Sequence, residues 1–212
     1  YVKKPTDKKP QKLALNLTRD YRYPPVRHET YTSDISDYAI SPNGKHTAFV
    51  IRGEIFLINN LKKQSRTVRL TDHPYRDFNL SWINDSALIF VSDRHGQKDL
   101  YLLRSSYPTD QVLYEGLKFE TTRLTHTDEP ETAPLVSPNG SKVAFIRNKG
   151  TLITAEIQAD QGTIINQKVL RKGWATPGGI AWSPDSKWLA YSLNDLYFNS
   201  EVYIHAADNS QG

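Results

Sequence analysis

One phrase recurs four times along this chain: a polar turn, a short apolar strand, a second turn and a second strand. The first copy runs from Ser41-Pro42-Asn43-Gly44-Lys45 through Thr47 to Ile51, then over Arg52-Gly53 into Glu54 to Ile58. The second runs from Trp82-Ile83-Asn84-Asp85-Ser86 through Ala87 to Val91, then into Asp99 to Leu103. The third begins at Ser137-Pro138-Asn139-Gly140-Ser141 and the fourth at Trp182-Ser183-Pro184-Asp185-Ser186. Pro fixes φ, Asn or Asp bonds its own backbone, and Gly accepts positive φ, so the chain must reverse at each turn. Taking Ser41, Ile83, Ser137 and Ser183 as equivalent, the copies are spaced by 42, 54 and 46 residues. Repeats of that length made only of strands and turns predict an all-β chain, a β-propeller built of four-stranded antiparallel blades. About four blades are present, and the ring is expected to be incomplete.

The remaining strands of each blade lie between these hairpins. Thr67 to Thr71, Thr122 to Thr125 and Ile164 to Leu170 read as outer strands. Ile35 to Ile40, Phe78 to Trp82, Thr132 to Val136 and Gly179 to Trp182 read as innermost strands. Apolar residues at successive positions are expected where a sheet is covered on both faces, and Trp82, Trp182 and Trp188 are expected in the core. The fourth copy has no outer strand before Gly212, so the ring is expected to continue beyond it; an incomplete ring leaves an open edge and an uncovered blade face. Gln11 to Leu17 reads as a strand, either closing a small ring or ending a preceding propeller. The expected division is therefore 1–33, a basic linker with that strand, and 34–212, the blades.

Charge follows the same division. The net charge of the 212 residues is +4, yet residues 1 to 30 alone carry +5, which leaves the body at −1. Such an arm reads as a solvated linker, and no nucleic-acid partner is expected. No apolar run reaches spanning length, so no membrane insertion is expected. The chain holds no cysteine, which excludes disulfides, thiol nucleophiles and Cys-ligated zinc. Absence of thiols suits an oxidising compartment, and a periplasmic or secreted location is expected over a cytoplasmic one.

Chemistry is sparse. There is no Gly-x-Ser-x-Gly, no P-loop and no His-Glu-x-x-His. His28, His46, His73, His95, His126 and His205 are scattered over separate repeats. No catalytic residue, cofactor site or metal site is therefore assigned, and the chain itself is expected to be inactive. Asp93 to Asp99 lacks the alternating acids and closing Glu of a calcium loop, and reads as a polar hairpin. Asp128, Glu129 and Glu131 form an acidic cluster before an innermost strand, which would set their carboxylates at a channel mouth to meet a basic peptide. The plainer reading is a solvated loop. Tyr191, Tyr197, Phe198 and Tyr203 form either an aromatic contact surface or blade packing.

The phrases Arg69-Leu70-Thr71, Arg123-Leu124-Thr125 and Asp99-Leu100-Tyr101, with the four turns, resemble the WD40-like repeat of tricorn and TolB-type propellers. Three longer stretches narrow the likeness: Ser33 to Pro42, Arg52 to Phe56, and Pro177 to Ser186. These resemble tricorn-like serine peptidases of the S41 class, at the start of their second propeller. That resemblance implies a non-catalytic region that guides or filters peptides toward a downstream active site. Its partners would be peptides or the remaining domains of the parent protein. A TolB-like interaction propeller of the cell envelope and the propeller of a prolyl-oligopeptidase-type hydrolase are the alternatives.

Overall fold

The computed structural model describes residues 5–6, 8–9, 30–31, 33–61, 66–107, 112–197 and 199–208. The chain divides into two units, Tyr1–Ser33 and Asp34–Gly212, and all that follows concerns the second. Gln11 to Leu17 and Phe198 lie outside the described residues.

Among the described residues, fifteen strands form four antiparallel sheets, each a meander in chain order. Blade I holds β1 (Ile35–Ile40), β2 (His46–Ile51), β3 (Glu54–Asn59) and β4 (Val68–Arg69). Blade II holds β5 (Asp77–Asn84), β6 (Ala87–Ser92), β7 (Asp99–Ser105) and β8 (Phe119–Arg123). Blade III holds β9 (Glu131–Val136), β10 (Lys142–Arg147), β11 (Thr151–Gln158) and β12 (Thr163–Arg171). Blade IV holds β13 (Gly178–Trp182), β14 (Trp188–Asn194) and β15 (Ser200–Ala206), with no fourth strand among the described residues. The blades form a four-blade β-propeller that is not closed.

Each turn between the first two strands is capped by its own side chains. Gly44 N–H donates to Ser41 O at 2.8 Å, Lys45 N–H to Asn43 Oδ1 at 2.8 Å, and His46 N–H to Ser41 Oγ at 3.1 Å. The third copy repeats the set with Gly140, Ser141 and Lys142, the fourth with Ser186, Lys187 and Trp188. Ser186 takes the positive φ (61°) that Gly44 and Gly140 supply elsewhere.

Packing between blades explains the strand patterns. The face of blade I carrying Ala48, Val50, Ile55 and Leu57 meets Leu88, Phe90, Tyr101 and Leu103 of blade II. Ile89, Val91, Leu100 and Leu102 on the reverse side of blade II meet Val143, Phe145, Ile153 and Ala155 of blade III. Ala144 and Leu152 then meet Leu189 and Tyr191 of blade IV. Covered on both faces, β6 is buried at every position. Among the described residues, blade I is packed on the face turned to blade II, so β1 and β3 alternate and Tyr38 and Ile40 are exposed.

Tryptophans stitch the innermost strands together. Trp82 Nε1 donates to Ala39 O at 3.0 Å, and Trp182 Nε1 donates to Leu135 O at 2.9 Å. Trp188 does not share their position: it sits on β14, on the face of blade IV turned away from blade III, and is 40% exposed.

Candidate functional site

Antiparallel order within each blade sends the β2–β3, β6–β7, β10–β11 and β14–β15 hairpins, and the connections from one blade to the next, to one end of the propeller. That loop end is where the innermost strands begin. Each of them is interrupted near its start by a bulge, between Ile35 and Asp37, Phe78 and Ser81, Thr132 and Leu135, and Gly178 and Ala181. Asn79, Ala133 and Gly179 occupy the bulges with φ of 53°, 52° and 57°. Repetition at one register is a designed feature of the wall.

The bulges chain one blade to the next. Asp37 Oδ2 accepts the N–H of Leu80 at 3.0 Å, while its Oδ1 accepts that of Tyr38 at 2.8 Å. Asn79 Oδ1 in turn accepts the N–H of Ala133 at 3.3 Å. Asp37, Asn79, Ala133 and Gly179 thereby line a shared cavity of about 250 Å³, bordered by Pro134 and Ile180. Its walls combine the polar side chains of Asp37 and Asn79 with the apolar ones of Leu80, Leu135 and Ile146.

The acidic cluster divides. Asp128 and Glu129 are exposed in the β8–β9 connection, where Glu129 Oε1 accepts Asn148 Nδ2 at 3.1 Å. Glu131 does not join them at the surface. Its carboxylate is fully buried, pairs with Arg147 Nε at 2.9 Å, and accepts Thr127 Oγ1 at 2.6 Å and Thr125 Oγ1 at 3.1 Å. A buried carboxylate persists only when paired in this way, so Glu131 holds two blades' loops in place and is not a channel-mouth contact.

Asp77 occupies the equivalent place in blade II. It accepts Arg94 Nη2 at 3.1 Å and is 3.1 Å from His73 Nε2. Tyr75 N–H donates to His73 Nδ1 at 3.1 Å, and Arg94 Nη2 stands 2.6 Å from His73 Nε2, so the ring, the guanidinium and the Asp77 carboxylate meet at one point. The Arg94 guanidinium lies 4.6 Å from the centre of the Tyr101 ring, whose hydroxyl is 2.5 Å from His95 Nδ1. Burial, reinforced by the Asp99 carboxylate, pushes the Tyr101 hydroxyl up to about 12. Asp99, itself fully buried, faces Arg123 at 3.0 Å. The Asp93 to Asp99 hairpin thus sets Arg94 and Asp99 in ion pairs with Asp77 and Arg123 at its base, while His95, Gly96 and Lys98 are exposed. Sequence reading did not connect Asp77 with Arg94, because their meeting depends on two strands seventeen residues apart in the chain.

Among the described residues, no group of three or more His, Asp or Glu side chains is placed to hold a metal ion, and no helix is long and apolar enough to cross a membrane. The fourth-repeat aromatics separate. Tyr191 is 2% exposed within the blade, whereas Tyr197 is 85% exposed.

No protein-family model and no curated protein matches the sequence. Among solved structures, TolB from Acinetobacter baumannii aligns over 85% of this chain and 43% of its own, with a TM-score of 0.60 at 19% identity. A putative TolB from Agrobacterium tumefaciens aligns over 82% and 62%, with a TM-score of 0.58 at 18% identity. A Mycobacterium tuberculosis puromycin-hydrolyzing peptidase aligns over 82% and 27%, with a TM-score of 0.57 at 12% identity. This chain thus spans less than two thirds of each of these proteins, and what it shares with them is the β-propeller fold.

Proposed function

We propose that this chain is a non-catalytic propeller region of a tricorn-like serine peptidase, which guides or filters peptides toward an active site elsewhere in the parent protein. The observation that carries the reading is the pairing of a bulged channel wall bearing Asp37 and Asn79 with the exposed carboxylates of Asp128 and Glu129 at the same end. Carboxylates there attract a basic peptide, and the bulged strands then hydrogen-bond its backbone. The likeness to a peptidase that carries the same fold supports this placement. Function in the periplasm or outside the cell belongs to the same proposal.

The test is a titration of the purified chain with a lysine-bearing hexapeptide and its glutamate-bearing counterpart, followed by fluorescence anisotropy. The lysine peptide is expected to bind more tightly, and Asp128→Asn with Glu129→Gln to weaken it by about five-fold, as two exposed charges of roughly 0.5 kcal/mol each would. Equal affinity for both peptides, or turnover of either one by the chain alone, would refute the proposal. The TolB likeness favours a second reading, a propeller that binds a folded protein partner. Under that reading neither peptide binds.

A further inference from the structure

At the loop end, where blade III meets blade IV, a cleft of about 320 Å³ opens between the β12–β13 connection and the β14–β15 hairpin. Trp174, Leu196, Tyr197 and Tyr203 line it and are exposed by 69%, 77%, 85% and 37%. Burying a side chain of this size is worth about 1.5–3 kcal/mol. Four of them held together in water therefore mark a surface kept for a ligand.

Neither wall is slack. On the Trp174 side, Arg171 Nη1 donates to Gly150 O at 3.2 Å and Ala175 O at 2.9 Å, and Gly173 N–H donates to Gly150 O at 3.1 Å. A Cβ at Gly150 would overlap the Gly173 carbonyl oxygen, so the two segments approach as closely as main chains can. On the opposite side, the Asp195 carboxylate accepts the N–H groups of Tyr197 at 2.7 Å and Asn199 at 2.8 Å, and Asn199 Nδ2 at 2.9 Å. Those bonds, the Asn199 side chain first, hold its carboxyl below the usual range. Tyr203 stacks on the buried Tyr191 with ring centres 5.7 Å apart, and its hydroxyl donates to Glu201 at 2.5 Å. Both loops thus fix their apolar side chains outward.

The repeat itself is broken at this place. In blades I and II the residue after the outer-strand leucine is Thr71 or Thr125, and its hydroxyl accepts the N–H of Ile55 or Leu100 at 2.9 Å. Blade III has Arg171 there, and uses it to fasten the Trp174 loop. Departure from an otherwise consistent pattern is where function is expected. The charged residues lining the opening are the carboxylates of Asp195 and Glu201 and the guanidinium of Arg171, which is turned to Gly150 O and Ala175 O, with the exposed Lys172 next to it in the chain.

We infer that this cleft is a peptide subsite that takes an aromatic side chain flanked by lysine or arginine. The ring inserts between Trp174 and the two tyrosines, and the neighbouring cation meets Glu201 and the aromatic faces. This inference rests on the peptide-guiding reading, and the experiment separates the two.

The 212-residue chain, labelled with 5-fluorotryptophan, is titrated with acetyl-Gly-Lys-Phe-Lys-Gly-amide and with the same peptide carrying Ala for Phe. Of four tryptophan resonances, the one assigned to Trp174 by its loss in Trp174→Ala is expected to shift, with Trp82, Trp182 and Trp188 unmoved. Trp174→Ala and Tyr197→Ala, both exposed and expected to keep the melting temperature, should each raise Kd at least tenfold, as should the alanine peptide. Unchanged affinity in Trp174→Ala, with loss in Asp128→Asn/Glu129→Gln, overturns the subsite and leaves the peptide-guiding reading standing. No binding of either peptide to the unsubstituted chain overturns both.

Discussion

Glu131 separates a structural from a binding role more sharply than any other residue of the loop end. Its carboxylate is fully buried and accepts three hydrogen bonds, one from a guanidinium that is itself only 17% exposed. Glu131→Gln preserves shape and the bond to Thr127, but leaves the Arg147 charge uncompensated at low dielectric. Loss of a charged hydrogen bond is worth about 1.5–3 kcal/mol, and removing one partner of a buried pair about 3–5 kcal/mol. The partial exposure of Arg147 places Glu131→Gln near the lower figure, at roughly 2–3 kcal/mol. Arg147→Met strands a carboxylate with no water, and should cost about 3–5 kcal/mol. The double variant Glu131→Met/Arg147→Met removes both charges and should return to within about 1–2 kcal/mol of the parent, because a well-packed apolar pair replaces a buried ion pair at little cost. Urea unfolding gives these differences directly, and thermal melting should show Glu131→Gln lowered by about 4–12 °C, at about 2–4 °C per kcal/mol. If Glu131→Gln unfolds with the parent while weakening peptide binding, the carboxylate faces ligand and the assignment is wrong.

Trp182→Phe keeps the ring at the blade III–IV contact but removes the Nε1 bond to Leu135 O, and should cost about 1 kcal/mol in urea unfolding; no change would mean the bond contributes nothing to holding the blades together. Ala133→Gly relieves a left-handed Cβ at φ 52°, worth about 1–2 kcal/mol, against about 0.4–1 kcal/mol of added unfolded-state entropy. A net gain of about 0.5–1 kcal/mol is expected, and destabilisation would show that the methyl group packs usefully in the channel wall. Burial of His46, 5% exposed and stacked on Tyr114, pulls its pKa below the ordinary 6.5, ahead of the opposing pull of Asp85. The unfolded chain then takes up the proton first as pH falls, so stability is complete above 6.5 and declines as pH drops toward the folded value. His46→Gln should flatten the stability profile over that window, and an unaltered slope would assign it to other groups.

The legible part of this molecule is the part written in local chemistry. Ser-Pro-Asn-Gly specifies its turn through the serine and asparagine side chains of the same few residues, and the structure shows those bonds in place. The innermost strand Ile35–Ile40 coincides with its expected span, and the other three begin one residue earlier than expected, with Asp77–Asn84 also running two residues past Trp82. The outer strand of blade I is shorter than Thr67 to Thr71 suggests, since Thr71 leaves the ladder to cap Ile55 with its hydroxyl. Trp188 was misplaced for a different reason: hydrophobicity says that a residue tends to be covered, and only the packing says whether a blade is there to cover it.

The same division holds for the site. Sequence by itself determined the blade repeat, the turns and the absence of thiol chemistry, because each follows from residue types within a few positions of one another. Tertiary structure alone decided that Glu131 is buried on Arg147 while Asp128 and Glu129 stay in water. It alone brought Trp174 and Tyr197 to opposite walls of one cleft. Burial and pairing across blades depend on where separate strands meet in space, and no local pattern of residues carries that information.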